Sequence, residues 1–213
     1  MRPLIRSQSW DVRQRLEALC QIGPPLLETA VLTGHVALLQ CTDNDPPFIP
    51  GTAAWWRTLR SLREQLLGAG SGWRKDDTGN YSLTINDEHR VAIVVASGDE
   101  MTGLLHEDPR TKAPKGIRTE NRVEQNAQGD LFPELLKRAS VSPALYDLWV
   151  LLIHIKPEDV RAELSRPIAM EHDHISGWSE RIILPINKED PERVRISPDD
   201  FGPDFDPDVR RVA

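Results

Sequence analysis

The run Ser97-Gly98-Asp99-Glu100 sets two adjacent carboxylates just after an apolar stretch, Val91 to Ala96, and Lys112, Lys115 and Arg118 follow within the same aperiodic segment. Paired carboxylates at a strand end can hold a divalent cation through oxygen ligands. Lysines beside a glycine can instead cradle an anion together with backbone N–H groups, here around Gly116. Polar residues also solvate long loops, and loops carry binding function without chemistry. Ser97, Asp99, Glu100, Lys112, Lys115 and Arg118 are therefore read as a ligand or partner loop over 99–121, with no catalytic residue assigned and no cofactor expected.

The catalytic alternative gathers Asp99, Glu100 and Glu163 around magnesium, in the manner of metal-dependent nucleases of the restriction-enzyme type. Such enzymes follow the first acidic residue with Glu-x-Lys on the next strand. Here Glu163 is followed two positions later by Ser165, and Glu134 and Lys137 stand three apart in an expected helix, so the second half of the pattern is missing. His172 and His174 in "EHDHISG" would point the same way if extended, with His154 on a nearby strand, which is a weak metal candidate. A turn rich in His and Asp is more often a solvated hairpin, and no cysteine stands close enough to complete a zinc spacing.

From Trp55 to Lys75 the chain carries five positive residues, Arg57, Arg60, Arg63, Arg74 and Lys75, against one negative, Glu64. Such a basic stretch can contact phosphates, with Trp56 or Trp73 stacking on bases, which makes it the nucleic-acid candidate. The competing reading pairs these arginines with the acidic surplus of a chain whose net charge is −7. In "DDFGPDFDPD", Phe201 and Phe205 punctuate aspartates like a short linear ligand that orders on binding. The "DFG" there has no glycine-rich loop, strand lysine or His-Arg-Asp beside it, so it is not a kinase signature. Phosphate-loop, dinucleotide, nucleophile-elbow and zinc-protease motifs are also missing.

The elements that must position these residues begin with three helices. Val12, Leu16, Leu19 and Cys20 recur at helical spacing after Ser9, a candidate N-cap. "PPLLETAVLTGHVALLQC" is apolar nearly all round, as a helix buried between other elements should be. Trp55, Leu59, Leu62 and Leu66 stripe a third, capped by Thr52. The period then becomes two: Tyr81, Leu83 and Ile85 alternate before the turn "NDEH" and the buried strand "RVAIVVAS". Residues 99–133 show no period, and a short helix at "PELLKRAS" closes the stretch. "LYDLWVLLIHI", "DVRAELSRPIAM" and "WSERIILPI" read as an antiparallel meander, the first strand central.

The fold expected is α+β, with N-terminal helices (about 7–68) packed on one face of a mostly antiparallel sheet of about five strands (about 73–186). Together these make a single domain over 1–186, followed by an extended acidic tail over 187–213. Cys20 and Cys41 fall in apolar helical patterns that suit reduced, packed thiols. The longest apolar run, Leu148 to Ile153, is too short to span a bilayer, so no membrane partner is expected and the location read is cytoplasmic. The function expected is that of a non-catalytic binding or regulatory protein engaging a protein partner through the 99–121 loop and the tail. The alternative is a nucleic-acid-associated protein using the arginine-bearing third helix.

Overall fold

The computed structural model describes residues 2–68, 72–131 and 146–186, with only the backbone at 130 and 131. The elements run β1 (Leu4–Arg6), α1 (Ser9–Cys20), α2 (Pro24–Leu39), α3 (Ile49–Gly68), β2 (Trp73–Asp76), β3 (Leu83–Asn86), β4 (Val91–Ser97), α4 (Ile117–Leu131), β5 (Asp147–Ile155), β6 (Val160–Glu171) and β7 (His174–Ile183). The class is α+β, as expected. The sheet, however, has seven strands in the order β1-β7-β6-β5-β4-β3-β2 and is mixed: β1 runs parallel to β7, and β4 parallel to β5. The β3–β4 hairpin and the β5–β6–β7 meander are antiparallel, with β5 central.

Two short strands account for the difference in number. β1 has three residues and β2 four, and only Trp73 of β2 is buried, so neither writes an alternating pattern long enough to read. The parallel β4–β5 pair follows from the crossover between them, which passes through α4 and therefore returns the chain in the same direction.

Helices α1, α2 and α3 cover one sheet face. Leu16, Leu27, Leu62 and Leu66 pack there against Val91, Ile93, Trp149, Leu151 and Leu164. Helix α2 is buried on most sides because it lies between α3 and the sheet. The α2–α3 crossing is close at Gly34, where a Cβ would fall 2.6 Å from the Ala54 carbonyl oxygen. Two expected caps are displaced. Helix α1 starts at Ser9 after Gln8, and α3 starts at Ile49, which leaves Thr52 inside it with its hydroxyl donating to the Phe48 carbonyl at 2.9 Å.

The opposite face corrects the expectation that helices lie on one side only. Helix α4 occupies the second half of the stretch read as aperiodic and packs against β5 and β6. Its inward side is short on apolar residues: Thr119, Val123 and Asn126 are buried. The Asn126 amide donates to the carbonyls of Leu148 and Pro167, both at 2.9 Å, and its Oδ1 accepts from Leu148 N–H at 3.0 Å. A helix fixed by an asparagine leaves no apolar stripe in the sequence. The helix expected at "PELLKRAS" and the tail lie outside the described residues.

Candidate functional site

Residues 98–116 do not float above the sheet. Gly98 N–H donates to the Ile153 carbonyl at 2.8 Å, Thr111 N–H to Ile175 at 3.1 Å and Lys115 N–H to Asp173 at 2.7 Å, while Trp178 Nε1 donates to the Pro109 carbonyl at 2.8 Å. Two arginines on the meander hold the middle. Arg161 Nη1 donates to the carbonyls of Glu100 and Thr102, and Arg181 donates to those of Leu104 and Glu107. Unpaired loop carbonyls over a buried sheet face would be costly, and these donors satisfy them.

Glu163 belongs to this clamp. It and Arg181 are both fully buried; Arg181 Nε donates to one carboxylate oxygen at 2.9 Å and Nη2 to the other at 2.5 Å. Ser165 Oγ and Gly103 N–H supply the remaining donors, at 2.7 and 2.9 Å. Four donors leave Glu163 committed to the fold.

Asp99 staples the base of the loop. Its Oδ1 accepts from Met101 N–H and its Oδ2 from Arg110 N–H, both at 3.1 Å. Glu100 is exposed and meets Lys156 Nζ at 2.9 Å, a contact that holds its carboxyl below the usual range. Around them lies a recess of about 260 Å³ lined by Ser97, Gly98, Lys112, His154 and the first turns of α3. Gly98 sits where a Cβ would collide with the side chains of Thr102 and Leu152. His154 is buried. Burial, then Arg161, push its pKa below the ordinary value, and Nε2 stands 3.3 Å from an Asp159 oxygen without hydrogen-bond alignment.

Lys115 and Arg118 lie elsewhere. Lys115 lines a cavity of about 310 Å³ with Trp55, Tyr81 and Thr119. Arg118 donates to the Thr78 carbonyl and packs over Gly79, bracing the turn before β3. The segment read as one loop is thus divided between two recesses and a brace. Tyr81 and Trp55 were read only as a strand and a core residue. No sequence signal marks them as neighbours of Lys115, because the chain stretches that carry them are far apart.

The histidine pair does not form. His172 and Asp173 both take positive φ, 49° and 63°, as the two central residues of a tight β6–β7 hairpin turn, so the extended geometry that would align His172 with His174 is lost. His174 Nδ1 lies 2.6 Å from the Thr111 carbonyl oxygen. Among the described residues, no group of three or more His, Cys, Asp and Glu side chains converges as a metal site.

The basic stretch is largely paired. Arg60 meets Glu64 at 2.7 Å, Arg63 meets Asp77 at 2.7 Å and Arg74 meets Asp87 at 2.8 Å; Asp77 and Asp87 are held below the usual carboxylate range, first by Arg63 and Arg74 respectively. Arg57 stacks over Trp56 at 4.8 Å, and Lys75 is exposed. Phe201 and Phe205 lie outside the described residues. Cys20 and Cys41 are free; burial pushes the Cys20 thiol up to about 12. Among the described residues, no single helix is long and apolar enough to cross a membrane. No family model, curated protein or solved structure matches the chain.

Proposed function

We propose that this is a non-catalytic binding protein that engages a protein partner through the outer side of the 98–110 loop. The observation that carries the reading is the contrast between the loop's two sides. Its inner side is clamped, yet Met101, Leu104 and Leu105 remain 38%, 38% and 46% exposed on the outer one. Glu100, Glu107 and Asp108, all exposed, flank these three side chains in the chain. Apolar anchors beside carboxylates fit a partner with an apolar depression and a basic border. A loop already held in place loses little conformational entropy on docking.

The tail, with Phe201 and Phe205, is the second segment in this proposal, and a regulatory role would follow from what it and the loop engage. The nucleic-acid alternative stands second because Arg60, Arg63 and Arg74 each meet a carboxylate, which lowers the local positive field. The magnesium alternative stands third, since Asp99 is engaged by backbone N–H groups and Glu163 by Arg181.

The test is affinity purification of the full-length protein from its own cells, with half of the sample nuclease-treated, alongside a Leu104→Asp/Leu105→Asp variant of equal thermal stability. We expect a protein that survives nuclease and is lost from the variant. Loss on nuclease treatment, or retention by the variant, removes the proposal.

A further inference from the structure

The cavity beside Lys115 has one apolar wall and one donor-rich end. Trp55, Val94 and Ile175 form the wall, while Lys115, Tyr81 and Thr119 supply polar groups, and no carboxylate lines it. Its volume, about 310 Å³, lies at the lower end of the range for small-molecule sites.

Three features of the polar end are unbalanced. Lys115 is half-buried and makes no ion pair among the described residues. Its position is fixed through the backbone, because Lys115 N–H donates to the Asp173 carbonyl and Gly116 opens α4, where Thr119 N–H returns to the Gly116 carbonyl at 2.9 Å. The Tyr81 hydroxyl is buried, and Thr119, the polar side chain beside it, is not aligned to form a good hydrogen bond with it. Gly116 also brings the N-terminal end of a fifteen-residue helix to the cavity, where the partial charge is positive. An ammonium without a counter-ion and a helix N-terminus both favour negative charge, and an anionic oxygen would also accept from the Tyr81 hydroxyl.

We propose that this cavity binds a small organic anion, a carboxylate or phosphate on a short apolar body, with its head group on Lys115, Tyr81 and the start of α4 and its body against Trp55, Val94 and Ile175. The inference goes beyond partner docking, since a free small ligand is tested without any partner protein. Failure here leaves the loop proposal standing, and the reverse also holds.

The experiment titrates the full-length protein with hexanoate, hexyl phosphate and hexylamine by calorimetry and by backbone amide shifts. Hexanoate or hexyl phosphate should bind at millimolar concentration or tighter and shift the amides of Lys115 to Thr119, whereas hexylamine should not bind. The better anion identifies the head group. Lys115→Met should weaken binding by about tenfold or more, while Lys115→Arg should largely preserve it. Burial holds the Lys115 pKa below the ordinary lysine value, and an anion raises it again, so binding at alkaline pH should take up a proton. That uptake appears as heats that depend on the buffer in wild type and vanish in Lys115→Met, which a purely structural lysine would not produce. The proposal is overturned if neither anion binds at millimolar concentration, if hexylamine binds equally well, or if Lys115→Met binds undiminished.

Discussion

The two faces of the sheet are covered by different mixtures of apolar and polar contact. On one, α1 to α3 bury leucines against the apolar residues of β4, β5 and β6. On the other, Val123, Leu148, Val150, Leu152, Ile175 and Trp178 form a smaller apolar cluster, and beside it the 98–116 loop and α4 lie over Arg161, Glu163, Arg181 and Asn126, whose hydrogen bonds help to position them. Apolar burial is tolerant of detail, whereas a buried polar layer stabilises only when every member is satisfied. The loop face should therefore fail abruptly and the helix face by degrees.

Arg181→Met is the largest expected break. It strands the fully buried Glu163 and should destabilise the protein by about 4 kcal/mol, read by denaturant unfolding. Adding Glu163→Leu should recover part of that loss by removing the stranded carboxylate, although the Leu104 and Glu107 carbonyls, Ser165 Oγ and Gly103 N–H then lose their partners. Failure of the double variant to recover would mean that the loop carbonyls of Leu104 and Glu107 need Arg181 more than Glu163 does.

Leu62→Ala, on the helix face, should cost about 3 kcal/mol, with hydrogen-exchange protection of Gly103 and Thr111 unchanged in ranking. If those amides lose protection first, the two faces are coupled more tightly than their covers suggest.

The smallest effect is expected at the helix-face edge. There Glu180 accepts from Arg15 at 2.8 Å and from Arg6 at 2.5 Å, tying α1 and β1 to β7. Burial works against its ionisation, but the two arginines outweigh burial and hold its pKa below the ordinary 4.5. The folded form therefore binds its proton less readily than the unfolded chain, so its contribution is complete above pH 4.5 and fades as pH falls through the lowered value. Glu180→Gln should lose about 2 kcal/mol at neutral pH and show a flatter acid limb in thermal melts. An unchanged acid limb would show that other carboxylates govern it.

The helix face was legible because Val12, Leu16, Leu59, Leu62 and Leu66 repeat at the helical period, and β5 because its near-continuous apolar run suits a central strand. Helix α4 was not, since its inward positions include Thr119 and Asn126, whose burial depends on partners distant in the chain. The 97–121 residues stood out by type. Their separation into a stapled base, a clamped middle and a lysine-lined cavity depends on β5 and the β6–β7 hairpin, which no local pattern reports. Glu163 illustrates the limit: a carboxylate on a strand reads alike whether it faces solvent, a cation or a buried guanidinium.

The parallel pairing of β1 with β7 has a consequence for synthesis. Arg6 and Glu180 touch across 174 positions of chain, so β1 has no strand neighbour until the described chain as far as β7 has been made. Contacts of such span slow folding through the entropy of closing the loop. A nascent chain that stops within β6 would carry Leu4–Arg6 with no strand to pair with, and the sheet gains β1 at its edge only after β7 has been made.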